Sequence, residues 1–149
     1  MSVSLNHTIV LSKDKVKAAN FLSELLGLET NAWGPFIRVR TGQTDIEFMN
    51  IEDSAWNDHI TPQHLCFLID EQAMDVLLEG LRRHDVQPYE DMFYEDPGVN
   101  SFYGGRGCYI RDIVDGHLFE FITAPYEGKP ANIEKGRWNN PVDPTAVGS

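Results

Sequence analysis

Little in this chain points to a disulfide scaffold, a membrane or a nucleic acid. Its 149 residues include only two cysteines, Cys66 and Cys108, each in an apolar run. Neither has the close spacing of a zinc knuckle or a redox pair. They read as reduced core thiols of a cytoplasmic protein. No stretch approaches the ~18 to 20 apolar residues of a membrane span. The N-terminus, MSVSLNHTIVLS, lacks a basic region leading into a long apolar run, so no signal peptide is expected. Positive charge is scarce: 12 Lys and Arg stand against 23 Asp and Glu, a formal net charge of −11. Such a field argues against nucleic acid or an anionic membrane as partner, while a local Arg or a metal still permits a small anionic ligand. Also missing are a Gly-x-Ser-x-Gly elbow, a nucleophilic Cys–His context, a phosphate loop ending in GK[ST] and a dinucleotide fingerprint.

What is present is a pattern that occurs twice. LNHTIVLS reads as a strand, with Leu5, His7, Ile9 and Leu11 on one face. A helix follows, with Ser12 as its expected N-cap, Ala18, Ala19, Leu22, Leu25 and Leu26 as its stripe, and Gly27 as its stop. PFIRVRT (35–41) and TDIEFMNI (44–51) read as strands, and LETNAWG before them as a further short one. After the polar linker DSAWNDHITP the order resumes. QHLCFLID is a strand with His64, Cys66 and Leu68 on one face. EQAMDVLLEGLRRHDV is a helix capped by Asp70, with Met74, Leu77, Leu78 and Leu81 inward. YEDMFYE, RGCYIRDI and HLFEFIT then read as strands, separated by the turn residues DPG, GGRG and DG. Each half is too small to bury a core alone, so the two are expected to form one pseudo-symmetric domain over residues 1–125, with modules at about 4–52 and 62–125. Residues 126–149, rich in Gly, Pro and Asn, read as a surface tail.

The repeat extends to residues that carry chemistry. Each first strand holds a His, His7 or His64, and each last strand a Glu-Phe pair that begins at Glu47 or Glu120. A lone strand His is commonly a hydrogen-bonded structural residue, and a lone strand Glu commonly faces solvent. Four at equivalent places admit a second reading. Pseudo-symmetry would bring two imidazoles and two carboxylates to one cleft, a set suited to zinc, nickel, iron or manganese. In HLFEFIT, alternation puts Phe119 and Phe121 on one face and Glu120 on the other. A metal would then supply the charge that keeps a buried carboxylate ionised. Leu65, Phe67 and Ile69 should pack away from His64. Arg106, on the GGRG turn, could meet a substrate anion or a surface carboxylate. Tyr103, Trp33 and Phe93 could line the cleft or belong to the core. Asp45 shares a face with Glu47. His117 reads as a turn residue, and His59 and His84 as solvated.

At these residues the chain resembles the vicinal oxygen chelate superfamily, which includes glyoxalase I, fosfomycin-resistance thiol transferases, bleomycin-resistance proteins, methylmalonyl-CoA epimerase and extradiol dioxygenases. LNHTIVLS, FLSELLGLE, QHLCFLID and GGRGCYIRDIVDGHLFEFIT carry the resemblance, which spans about residues 4 to 125. The family's DPDG turn is here IVDG after Asp112, one residue longer and without the Pro. The resemblance implies an α+β fold of two βαβββ modules forming a cupped mixed sheet. It also implies metal ligands at His7, His64 and Glu120, with Glu47 as a fourth ligand or a general base, so that the two glutamates are the catalytic candidates. It further implies a homodimer in which both chains complete each site, His7 and His64 coming from different subunits. The expected function is metal-dependent, glyoxalase-like isomerase, lyase or epimerase chemistry on a small molecule whose adjacent oxygens bind the metal. The alternatives are thiol transfer and metal-free drug binding.

Overall fold

The period-two runs become strands and the period-3.6 runs become helices. The computed structural model describes residues 1 to 127. Its first module runs β1 (His7–Ser12), α1 (Lys15–Leu26), β2 (Thr30–Trp33), β3 (Phe36–Arg40) and β4 (Asp45–Asn50). The second runs β5 (His64–Leu68), α2 (Glu71–Arg83), β6 (Gly107–Arg111) and β7 (Leu118–Ile122). The sheets have the orders β1-β4-β3-β2 and β5-β7-β6. In each, the first strand lies parallel to the last and the remaining pairs are antiparallel. This is the α+β, mixed-sheet architecture that the sequence implies. Of the expected C-terminal tail, residues 128–149 lie outside the described residues.

The helix signals hold, with one shift. Asp14, not Ser12, caps α1: its carboxylate accepts the Lys17 N–H at 3.0 Å, while Ser12 Oγ accepts the Asp14 N–H at 3.0 Å. Ser12 is still in β1, so a cap two residues later fits the strand's end. Gly27 ends α1 at φ 65°, a left-handed conformation that an L side chain resists. Asp70 caps α2 by accepting the Ala73 N–H at 2.7 Å.

One expected strand does not form. YEDMFYE is a loop, and only Tyr89 makes isolated bridges, to Pro97 and Tyr109. The cause is local. The Asp91 carboxylate accepts the N–H groups of Phe93, Glu95 and Asp96 at 2.7, 3.2 and 2.9 Å, and Tyr94 turns to φ 59°. A side chain that satisfies three nearby donors competes with a ladder for them.

The core is continuous across the modules. Leu22, Leu25 and Phe48 from the first join Met74, Leu77 and Phe119 from the second in one buried cluster. Phe67 stacks on Phe121 at 5.2 Å and meets Phe119 edge-on at 5.9 Å, so β5 and β7 send their aromatic faces inward.

The turn before β7 ties the halves together. His117, expected as a simple turn residue, is only 1% exposed. Its Nδ1 accepts the N–H of Gln63, at the entry to β5, at 3.0 Å. Its Nε2–H donates to the carbonyl of Leu11, near the end of β1, at 2.7 Å. A backbone N–H can only donate and a carbonyl only accept, so the ring is the neutral tautomer with its hydrogen on Nε2. Asp112 holds the turn by accepting from Val114 and Asp115 at 2.8 Å each and from the His117 N–H. Asp115 reaches back to the Lys13 N–H at 2.9 Å. His117→Ala strands a part-buried donor and a buried acceptor on different modules. It is expected to lower stability by about 2–4 kcal/mol, read as a lower urea midpoint.

Candidate functional site

Strand alternation puts Glu120 on the face opposite the core, where it is nevertheless only 3% exposed. In the ladders it stands across from Cys66 on β5 and Tyr109 on β6. Its two oxygens have different partners. Oε2 lies 3.0 Å from His64 Nε2, two residues before Cys66 on the same strand face. Oε1 accepts a hydrogen bond from the Tyr126 hydroxyl. Tyr126 is held in turn by a ring stack on Tyr103, with centroids 3.9 Å apart, and by the Tyr109 hydroxyl at 3.1 Å. Burial, and then the Glu120 charge, push the Tyr109 phenol far above its ordinary range, so it remains a protonated donor. Desolvation by the surrounding protein, and then Glu120, push the Cys66 thiol up to about 12. Although Cys66 lies on an exposed strand face, a thiol so shifted stays protonated near neutrality and is a poor nucleophile. A cleft of about 630 Å³, lined by Leu5, Thr8, Leu65, Cys66, Phe67 and Leu68 among others, opens beside β1 and β5.

The first module repeats this register with one decisive change. Glu47 stands across from Ile9 on β1 and Arg38 on β3, just as Glu120 stands across from Cys66 and Tyr109. His7 precedes Ile9 by two residues, as His64 precedes Cys66. The position opposite the glutamate is therefore Arg in one module and Tyr in the other. Arg38 Nε and NH2 both donate to Glu47 Oε1, at 3.0 and 2.6 Å. The guanidinium also lies 3.5 Å from Asp45 and caps the Trp33 ring at 4.5 Å from its centroid. Glu47, 3% exposed, thus has an internal cation. Glu120 pairs with no Lys or Arg among the described residues; the His64 imidazole lies beside its Oε2 instead.

Within one chain the four candidates fall into two places. His64 and Glu120 touch. Glu47 is held by Arg38, and His7, exposed at the start of β1, has its Nδ1 2.8 Å from Asn6 Oδ1. Arg106 reaches neither glutamate. It pairs with Glu71 and Asp75 on α2 at 2.7 and 2.8 Å. Two glycines of GGRG serve packing, since a Cβ on Gly105 would lie 2.5 Å from Thr123 Oγ1 and one on Gly107 2.7 Å from Asn100 Oδ1, while Gly104 turns the chain at φ 84°. His59 is exposed beside Asp58, and His84 pairs with Glu24 at 3.2 Å while meeting Phe21 edge-on.

Among the described residues, the group of three ligand-type side chains whose atoms lie within 4.8 Å of one another is Asp112, Asp115 and His117. Both nitrogens of that imidazole are already bonded to backbone, so the group closes a turn rather than presenting three donors. Tyr109, Tyr126 and Arg38 carry the geometry without having stood out in the sequence. Arg38 had a signal, since FIRVR carries cations at Arg38 and Arg40 and DIEFM on the next strand carries anions at Asp45 and Glu47 with the same spacing. Tyr126 lies just past the assigned domain end, where nothing local marks it.

No family model matches the chain, and neither does any curated protein. Solved structures do. Oxidase ChaP-H2 is 37% identical over 85% of this chain and 97% of its own, with a TM-score of 0.76. Oxidase ChaP-H1 is 34% identical over 85% of this chain and 100% of its own, with a TM-score of 0.77. A lactoylglutathione lyase from Agrobacterium tumefaciens shares the fold at 18% identity, over 81% of this chain and 93% of its own, with a TM-score of 0.62. The chain belongs to the vicinal oxygen chelate superfamily. Both oxidases lie above 30% identity to this chain. Among the described residues no helix is long and apolar enough to cross a membrane.

The Arg38–Glu47 pair is open to direct measurement. Arg38→Ala leaves a buried carboxylate without its cation and is expected to cost about 3–5 kcal/mol. Replacing both, as Arg38→Met with Glu47→Leu, should recover most of that loss in denaturant unfolding.

Proposed function

We propose that the protein is a divalent-metal-dependent oxidase acting on a small molecule, with His64 and Glu120 as metal ligands in each chain. The observation that carries this reading is the buried Glu120 carboxylate, which lacks the internal arginine that neutralises its counterpart Glu47. The donor set fits a metal ion. Ligands bonded at about 2.1 Å and roughly 90° apart stand ~3 Å from each other, and His64 Nε2 and Glu120 Oε2 are 3.0 Å apart. Bound there, the metal would supply a Lewis acid for adjacent substrate oxygens and, if it is iron, a redox couple that passes substrate electrons to dioxygen, the oxidant an oxidase requires.

Two protein donors leave the set one short. No third His, Asp or Glu of the same chain joins the pair among the described residues. We place His7 as the third donor, supplied across a homodimer, because it holds the equivalent place on the other module and stands exposed on an edge strand. Two imidazoles and one carboxylate form the donor triad of non-haem iron(II) oxygenases. The chain's other residues then have separate tasks. Core packing of Phe119 and Phe121 fixes β7, and the His117 turn fixes where β7 starts.

Oxidation is favoured over the glyoxalase-like isomerase, lyase or epimerase reading on two grounds. Oxidase ChaP-H2 and oxidase ChaP-H1 both exceed 30% identity, whereas the lyase shares the fold alone. Glu47, the residue that would be the fourth ligand or the base, is committed to Arg38.

Metal analysis of the purified protein is expected to give about one divalent ion per chain. His7→Ala, His64→Ala and Glu120→Ala should each lose it, and Glu47→Gln should keep it. Mixing the His7→Ala and His64→Ala proteins after unfolding and refolding should restore metal to about a quarter of the sites, since each heterodimer of a two-fold assembly regains one intact site. No restoration would refute sharing between chains. An absence of metal from the wild-type protein, even after loading with iron(II), manganese(II) or zinc(II), would refute the metal reading.

A further inference from the structure

We infer that Tyr126 is a positioning residue: its hydroxyl holds Glu120 Oε1 so that Oε2 alone, beside His64 Nε2, is presented to the metal. The inference rests on the proposed metal site and assigns to it a residue outside the repeated modules.

A carboxylate on a two-carbon stem can turn about its terminal bond, so a bound cation can take one oxygen or both. In this chain the two oxygens are already distinguished. Oε2 faces the imidazole of His64 and Oε1 takes the Tyr126 proton. The tyrosine is itself constrained on two sides, by the Tyr103 ring and the Tyr109 hydroxyl. Its single proton is committed to Glu120, so in the 3.1 Å contact Tyr109 is the donor and Tyr126 the acceptor. The hydrogen bonds therefore run in one direction, from the buried Tyr109 through Tyr126 to Glu120. A ligating carboxylate whose free oxygen is hydrogen-bonded keeps its orientation, and loss of such a partner typically weakens metal affinity by about 10–100-fold.

The first module provides a built-in comparison. There Glu47 Oε1 receives two arginine donors, and no tyrosine hydroxyl bonds that glutamate among the described residues. The tyrosine contact occurs only on the glutamate that lacks an arginine. Tyr126 is also 44% exposed, far more than a side chain held for core packing.

Cobalt(II) titration of the metal-free protein tests the assignment, with both affinity and the visible ligand-field spectrum as readouts. Tyr126→Phe keeps the ring on Tyr103 and removes only the hydroxyl. It is expected to weaken cobalt(II) binding by about tenfold or more. The cobalt bands should also move, because Glu120 becomes free to bind through both oxygens; a purely structural role for Tyr126 would leave the bands in place. Wild-type affinity and an unshifted spectrum in Tyr126→Phe would overturn the inference and leave the metal site standing. Tighter binding would also overturn it, by showing that the phenol competes with the metal for the carboxylate. Failure of the wild-type protein to bind cobalt(II) would overturn the site and the inference together.

Discussion

A buried carboxylate in an apolar strand must find a positive partner or give up its charge, and this requirement divides the molecule in two. Glu47 and Glu120 occupy the same ladder position of the same repeat, and both are 3% exposed. The cross-strand neighbour decides their fates. Arg38 closes the first module's charge within its own sheet. Tyr109 contributes a hydroxyl but no charge, so Glu120 turns to His64 and to whatever cation the pair can hold. One substitution type at one register position separates a structural ion pair from a site with unspent charge.

That division would be useless if the modules could drift. Packing of Phe119, Phe121 and Phe67 sets the depth of β7, but hydrophobic contact alone is non-directional. Direction comes from the turn ahead of it. His117 bonds to Leu11 in one module and to Gln63 at the start of the other, and Asp112 orders the N–H groups around it. The same turn that starts β7, two residues before Glu120, thereby fixes the end of β1 and the entry of β5. Since His7 lies on β1 and His64 on β5, the neutral imidazole of His117 sets the framework for both candidate ligands without touching either.

Much of this was legible in the sequence because it is periodic. Alternation alone placed Phe119 and Phe121 opposite Glu120, and His64 opposite Leu65 and Phe67. Cap and stop residues located both helices to within three residues. Three things were not legible, each for a physical reason. YEDMFYE has the composition of a strand, but Asp91 satisfies the donors a ladder would need, and a side-chain hydrogen bond leaves no trace in hydrophobic periodicity. His117 has ordinary turn neighbours, and its role depends on two backbone groups, one of them 106 residues away. Arg106 sits on a glycine-rich turn that resembles an anion loop, yet the partners that claim it are on a helix more than 30 residues earlier. Local pattern reports faces; it does not report which distant group a polar side chain will meet.

The same limit explains why the two-glutamate, two-histidine set was attractive as a single four-ligand site. Repetition makes all four residues equivalent in the sequence, whereas the folded chain sees their neighbours. A guanidinium with two donors on one carboxylate oxygen is a strong, geometrically fixed partner. A metal ion would have to displace it from Glu47, whereas at Glu120 it would meet no guanidinium among the described residues. On the proposed reading, the first module keeps its carboxylate for stability and the second keeps its own for ligation. A duplicated fold permits this specialisation, because loss of charge at one copy leaves the scaffold of the other intact.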